Sequence, residues 1–189
     1  MIETSKYHAT PAALETERRS VEAAKKDPAL FAVLYDKYYE QIFRFIFQRM
    51  DDKEAAFDAT QQVFMKAMEN LHKYEFRGVP FASWLYRIAS SEVNNLFRLQ
   101  KAQRTVNIDS VSVYGIIEEI EESKIEKYHD TIVEIIAEEL EENDLQLIEM
   151  RFFEKRSFKE IGEILDMTEN NAKVKTYRIL EKLKKRIKP

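Results

Sequence analysis

Apolar residues recur every three or four positions along most of this chain, the spacing of amphipathic helices. The first clear case is Phe31, Leu34, Tyr35, Tyr38, Ile42, Phe45 and Ile46. Asp27-Pro28 precedes it, a capping residue followed by proline at the first helical position, and Asp51-Asp52 ends it. A second helix is expected over about 53–71, with Ala56, Thr60, Val63, Phe64, Ala67 and Leu71 inward. Residues 72–80, HKYEFRGVP, form the one long loop of this half. Pro80 opens a third helix that runs to about Arg104, with Phe81, Trp84, Leu85, Ile88 and Leu96 inward. Residues 1–25 are polar, with a short helical pattern from about Ala12, and are expected to be a mobile or lightly docked extension. The periodicity fades over 105–128 and returns from His129 at Ile132, Ile135, Ile136, Leu140, Leu145, Leu147, Ile148 and Met150.

The last thirty residues are the most informative. Ser157 is placed to cap a short helix, with Glu160 at the capping-box position. Phe158, Ile161 and Leu165 are expected inward, and Gly162 allows close approach of a neighbouring helix. Asp166-Met167-Thr168 makes a tight connection in which Met167 plugs the core. A longer helix starts near Glu169 and packs through Ala172, Thr176, Ile179 and Leu183. Its other face carries Asn171, Lys173, Lys175, Arg178 and Lys182. A short helix, a tight turn and a longer basic helix make a DNA-reading helix-turn-helix. Asn171 and Lys175 lie where a recognition helix reaches base edges, and the other cations suit phosphates. The bland alternative is a helical hairpin with a solvated basic face. Lys184, Lys185 and Lys188 are favoured at a helix C-terminus in any case.

Composition fits this picture. Three Gly and four Pro in 189 residues leave little turn chemistry, and 44% hydrophobic residues suffice for compact cores. The absence of Cys excludes disulfides, thiol catalysis and thiolate zinc sites, and suits a reducing cytoplasm. There is no signal-peptide h-region and no run long enough to span a membrane, so no membrane insertion is expected. The net charge of −4 hides an asymmetry: residues 1–104 sum to +2, residues 105–143 to −10 and residues 144–189 to +4. Local charge decides what a surface attracts, so two mildly basic modules flank an acidic segment. The expected fold is all-α, with two small helical domains at 26–104 and 129–189. An acidic linker at 105–128 joins them, and the extension 1–25 precedes them.

The third helix carries a second basic face. Arg87, Ser91, Asn94, Arg98 and Lys101 fall at i, i+4, i+7, i+11 and i+14, a stripe with donors and no carboxylate of its own. Lys73 and Arg77 of the preceding loop can add to it, and Tyr74, Phe76, Phe81, Trp84 and Tyr86 lie alongside. Cations interleaved with aromatic faces suit single-stranded DNA. Taken singly, Phe81 and Trp84 read more simply as core.

The segments FAVLYDKYYEQIFRFIFQRM, DATQQVFMKAMENL and FASWLYRIASSEVNNLFR resemble the second conserved region of sigma-70-type transcription initiation factors. The C-terminal helix-turn-helix resembles their fourth region. The short length is similar to that of the extracytoplasmic-function (ECF) subgroup. The resemblance covers about 28–104 and 129–187, and the D-x-x-Q-x-V-F and W-L-Y-R-I-A strings are its specific part. It implies that Asp58, Gln61, Gln62 and Phe64 dock on a coiled coil of the largest polymerase subunit. Position 62 is usually acidic in the family and is Gln here. The resemblance further implies that loop 73–80 captures a flipped base and that the following helix lies on the melted −10 element. Lys73, Arg77, Trp84, Arg87, Ser91, Asn94, Arg98 and Lys101 are the residues concerned. The family's frequent Arg-Asn is Ser90-Ser91 here. Asn170, Asn171, Lys173, Lys175, Tyr177 and Arg178 are implied to read the −35 element as duplex. The acidic linker resembles the segment that threads the polymerase near its active site and RNA exit path. The implied partners are core RNA polymerase, promoter DNA and an anti-sigma protein. No cofactor, metal or enzymatic activity is implied, and the place of action is the cytoplasm.

Two other readings exist. Glu69-x-x-His72 and Glu126-x-x-His129 repeat a string that di-iron helical bundles use, but those need both motifs mid-helix with two further Glu. A stand-alone helix-turn-helix regulator accounts for the C-terminal basic helix but leaves the stripe on the third helix and the Asp58 patch without a role.

Overall fold

The structure is a computed structural model that describes residues 9–50, 52–100, 116, 132, 134–136 and 140–187, the side chains of 98–100 and 187 excepted. All regular structure among these residues is helical. No helix among them is long and apolar enough to cross a membrane. The chain divides into two compact units, the first spanning His8–Val106 and the second built from Asn107–Pro189.

The first unit has four helices: α1 (Pro11–Lys26), α2 (Phe31–Phe47), α3 (Lys53–Asn70) and α4 (Phe81–Gln100). The Asp27 side chain accepts from the Ala29 N–H and starts a single 3-10 turn, Pro28–Leu30, that leads into α2. Asp52 caps α3 by accepting from the Glu54 and Ala55 N–H groups. Helices α2, α3 and α4 pack on one another. Their seam is the expected one: Phe31, Leu34, Tyr38, Ile42, Phe45 and Ile46 meet Ala56, Thr60, Val63, Phe64 and Ala67, with Phe81 and Leu85 from α4. Buried Thr60 is satisfied by donating its hydroxyl to the Ala56 carbonyl at 2.7 Å. Of the residues expected inward, Tyr35, Trp84, Ile88 and Leu96 are only half-buried.

The N-terminal extension departs from expectation. Residues 11–26 are not lightly docked: α1 lies against α2, and Glu17, Val21 and Ala24 are buried. The periodicity is weak because the inward face contains a carboxylate, whose partners are 21 and 64 residues away.

In the second unit Ile132, Ile135 and Ile136 are helical and buried. Helix α5 (Glu142–Ile148) continues into one π-helical turn, Glu149–Phe153, and is followed by α6 (Phe158–Leu165) and α7 (Glu169–Ile187). Of the expected linker 105–128 only Ile116 is described, helical and fully buried. The Ser157–Glu160 capping box is present in both directions. The inward face of α6 is centred on Ile161 and Ile164, correcting the expectation of Phe158 and Leu165, which are half-buried. Phe158 instead lies under the Arg151 guanidinium, 4.4 Å from its centroid. Met167 is likewise half-buried and does not plug the core. What closes the turn is backbone: the Met167 N–H donates to the Gly162 carbonyl at 2.9 Å, with Asp166 left-handed at φ 55°. Thr168 caps α7 by accepting from the Asn171 N–H at 3.1 Å.

Gly162 is where the two helices of this motif come closest to collision. A Cβ there would lie 2.7 Å from the Met167 carbonyl oxygen and 3.2 Å from the Glu169 nitrogen. Backbone on both sides cannot yield as a side chain would. Gly162→Ala is therefore expected to destabilise the second unit by about 1–3 kcal/mol. Urea unfolding followed by circular dichroism measures it, and a variant as stable as the parent would show that the turn relaxes freely.

Candidate nucleic-acid and polymerase interfaces

On α7 Ala172, Thr176, Ile179, Leu180 and Leu183 are buried, and the opposite face is open. Asn170, Asn171, Lys173, Lys175, Tyr177 and Arg178 are all exposed, as the sequence predicts. A shallow groove of about 640 Å³ follows this face from Asn170 to Lys185. Val174, 38% exposed, stands beside Tyr177 in it, where a pattern of donors alone does not reveal it. Its signal is a β-branched apolar residue off the inward seam. Such a surface can offer cations to phosphates and an apolar contact to a thymine methyl.

The stripe on α4 borders a cleft of about 530 Å³ between α3 and α4. Trp84, Arg87 and Ser91 line it from α4, and Lys66, Glu69 and Asn70 line it from α3. Asn94, Lys73 and Arg77 are exposed nearby in sequence, whereas the Arg98 side chain and Lys101 lie outside the described residues. The cleft is not free of carboxylate, since Glu92 and Glu69 also line it. Glu92 pairs with Lys66 across the two helices, so its charge is compensated within the protein. Lys66 and Asn70 escaped the sequence reading because they come from α3, which the stripe pattern of α4 does not contain.

The aromatic residues divide. Tyr86 is fully buried, edge-on to Phe45 at 4.9 Å, and its hydroxyl accepts from Gln41 at 2.9 Å. Tyr74 and Phe81 are also buried, and with Trp84 they form a triangle of rings 5.1, 5.2 and 5.4 Å apart. Trp84 alone of the three is partly open, against the cleft, and Phe76 is exposed in the loop. Gly78, at φ 70°, supplies the left-handed residue that the loop needs.

The third candidate surface is on α3. Asp58 and Gln62 are exposed, and Gln61 is half-buried, donating to the Tyr35 hydroxyl at 3.2 Å. Phe64 is 3% exposed and packs on Tyr35 and Tyr39 at 4.8 and 6.2 Å. It is a core residue and cannot contact a partner directly, which corrects its place in the polymerase-binding set. The apolar side chains that do reach the surface are Phe57, Met65 and Met68, each about half exposed, on the same outer face as Asp58. Glu69 and His72, from the di-iron string, are exposed at the end of α3, and His72 Nδ1 faces the Glu69 carbonyl at 3.0 Å. Glu126 and His129 lie outside the described residues.

Two family models match the chain in order. Sigma-70 region 2 matches residues 34–103, and sigma-70 region 4 matches residues 137–185. The chain belongs to the sigma-70 family. Among its curated relatives, the ECF RNA polymerase sigma factor BldN of Streptomyces coelicolor is 24% identical, over 93% of this chain and 69% of that protein. The ECF RNA polymerase sigma factors SigM and SigW of Bacillus subtilis are each 24% identical. SigM aligns over 80% of this chain and 91% of its own length, and SigW over 91% and 96%. In a solved structure of an RsbN–BldN complex, one chain is 20% identical, covering 87% of this chain and 96% of that one, with a TM-score of 0.38. These relatives place the sigma factor in the ECF group. Helices α2 to α4 are thus its region 2, and α5 to α7 lie in its region 4. Gln62 is exposed, and of Ser90-Ser91 only Ser91 is exposed.

The burial difference within the Asp58–Phe64 string has a direct consequence. Phe64→Ala is expected to cost about 3–5 kcal/mol of stability by opening a cavity. Asp58→Ala, at an exposed site, is expected to stay within about 0.5 kcal/mol. Denaturant unfolding followed by Trp84 fluorescence compares the two. Equal, small losses would contradict the core position of Phe64.

Proposed function

We propose that this ECF sigma factor binds core RNA polymerase through the outer face of α3, and promoter DNA through two separate surfaces. Asp58, Gln61 and Gln62, with Phe57, Met65 and Met68, form the polymerase contact. Polar side chains there meet cations, and the methionine and phenylalanine side chains supply apolar area. Region 2 melts and reads the −10 element through Lys73, Arg77, Trp84, Arg87, Ser91, Asn94, Arg98 and Lys101. Region 4 reads the −35 element through Asn170, Asn171, Lys173, Lys175, Tyr177 and Arg178. The observation that carries this reading is that each donor-rich helix, α4 and α7, is buried along one seam and open along the other. The two fall within the family's two regions in the family's order.

The chemistry of the two readers differs. The α7 surface offers Lys and Arg for phosphates, and Asn171 and Lys175 near the helix start for base edges in a major groove. The region 2 surface offers half-open Trp84 and exposed Phe76 as π-faces, with Lys73 and Arg77 for the backbone of a melted strand. The sigma factor supplies recognition, and nucleotide addition is left to the polymerase. We place its action in the cytoplasm, with an anti-sigma protein as a further partner in keeping with the ECF group.

Transcription in vitro with core polymerase and a cognate promoter tests the whole reading. Promoter-specific starts that depend on the added protein are expected, and their absence together with no complex with core would sink it. Replacing Lys175 and Arg178 together by Ala is expected to weaken binding to a −35 duplex at least about tenfold, since losing one base contact costs about 1–3 kcal/mol. It is also expected to lower the salt dependence. Affinity for core is expected to be unchanged, and loss of core binding would mean that the surfaces are assigned in reverse.

A further inference from the structure

Helix α1 lies ahead of the residues matched to region 2 and has no part in the surfaces above. Of its three carboxylates, Glu15, Glu17 and Glu22, only Glu17 is buried. One oxygen of Glu17 accepts from the Tyr38 hydroxyl and from the Lys37 ammonium, the latter at 2.7 Å. The other accepts from the backbone N–H of Phe81, the first residue of α4. That N–H has no partner inside its own helix, and a carboxylate there also meets the positive end of the helix dipole. Two turns further along α1, the Lys25 ammonium donates to the Tyr74 carbonyl at 2.8 Å and lies 5.8 Å from the centre of the Tyr74 ring. A single 3-10 turn, Leu71–Lys73, follows α3, and α1 holds the loop between it and α4 at both ends, through Lys25 where the loop begins and Glu17 where it finishes.

The two residues held, Tyr74 and Phe81, are the same two whose rings support Trp84. Between them lie exposed Phe76 and Arg77. A burial site that needed only packing would be filled by an apolar residue, as Val21 and Ala24 fill theirs on the same helix. A buried carboxylate is costly unless fully hydrogen-bonded, and what this one adds is direction: it fixes a backbone N–H and a tyrosine hydroxyl relative to each other. A loop fixed at both ends loses less freedom when it captures a base.

We propose that Glu17 is a positioning residue for −10 recognition. Together with Lys25 it sets the path of loop 74–80 and the entry of α4, so that Trp84, Phe76 and Arg77 meet the melted strand in one arrangement. The proposal rests on the assignment of this loop to the −10 element.

The test uses the full chain assembled with core polymerase. The probe is a single-stranded oligonucleotide spanning the −10 element of a promoter identified by sequencing holoenzyme-bound DNA, beside a copy with one base changed. Glu17→Ala is expected to weaken the cognate oligonucleotide about tenfold and to narrow the preference over the changed copy by a similar factor. Affinity for core and for a −35 duplex should stay within about twofold, and acrylamide should quench Trp84 more readily. Glu17→Gln, which keeps an acceptor oxygen, should recover most of the preference, and Lys25→Met should act in the same direction as Glu17→Ala but less. A folded Glu17→Ala protein with full preference overturns the proposal. If that variant does not fold, an unchanged preference in Lys25→Met overturns it instead. A Phe76→Ala, Arg77→Ala double variant separates the two ideas. If it discriminates as the parent does, the loop is not the −10 reader, and both the assignment and the proposal fall. If it loses discrimination while Glu17→Ala and Lys25→Met keep it, the loop reads but Glu17 does not position it.

Discussion

In α7 the side chains of Ala172, Thr176, Ile179 and Leu183 occupy successive turns and are all buried, and the face proposed to read DNA is open because that seam is filled. A helix has about 3.6 residues per turn, so committing one stripe to the core determines which residues remain for DNA. Full burial of an Ile or Leu side chain contributes roughly 1.5–3 kcal/mol, far more than any exposed lysine returns to the free protein. The apolar seam therefore sets the rotation of the helix, and the cations follow from it. Thr176 fits in the seam only because its hydroxyl donates to the Ala172 carbonyl at 2.9 Å. Gly162 extends the constraint to the partner helix, because the turn that aims α7 passes where a Cβ would stand. Helix α4 obeys the same rule: Phe81, Leu85, Ala89 and Val93 are buried, and Ser91 and Asn94 are left outside.

Charge is arranged on this frame by local compensation. The chain is net acidic, yet its candidate reading surfaces are rich in Lys and Arg. Two of the nearby carboxylates are partnered, whereas Glu69 and Glu181 line the α3–α4 cleft and the α7 groove exposed. Glu92 faces Lys66 across the α3–α4 cleft, and Glu160 is held by the Ser157 N–H and hydroxyl at 3.0 and 2.9 Å and by Arg156 at 3.4 Å. An exposed ion pair adds little stability. Its effect near a DNA surface is to remove a negative charge that would oppose phosphates, which the mean charge of the chain does not reveal.

Features encoded within one helix were the ones legible in the sequence. The seams of α2, α3 and α7, the Asp27 and Asp52 breaks, the Ser157–Glu160 box and the close approach at Gly162 all depend on residues within a few positions of one another. Phe64 is instructive: helical spacing puts it inward, family resemblance draws it into the polymerase contact, and its burial sides with the spacing. A conserved-looking string mixes residues that touch a partner with residues that hold the helix, and only exposure separates them. The inward face of α6 was misplaced by one position because a helix of eight residues has barely two turns in which to show a period. The docking of helix α1 is hidden in the sequence for a different reason. Its key inward residue is a glutamate, and no local pattern marks a carboxylate whose donors lie on α2 and at the start of α4. The α3 side of the cleft, Lys66 and Asn70, was hidden in the same way.

The two surfaces proposed to read DNA face different physical problems. Duplex DNA brings its own rigidity, so a helix with a bare polar face and a fixed rotation suffices, and α7 needs nothing beyond its seam and its Thr168 cap. A melted strand brings flexible backbone and unstacked bases, so the protein has to supply the order. Each residue fixed costs about 1–2 kcal/mol of backbone entropy, and any part already spent in folding is not spent again on binding. In keeping with this difference, the region 2 loop has its ends tied by side chains from a separate helix while the region 4 turn is closed by its own backbone. A seven-residue loop, 74–80, presents Phe76 and Arg77 more reproducibly when something outside it holds its ends, and the contacts of α1 with Tyr74 and Phe81 do so.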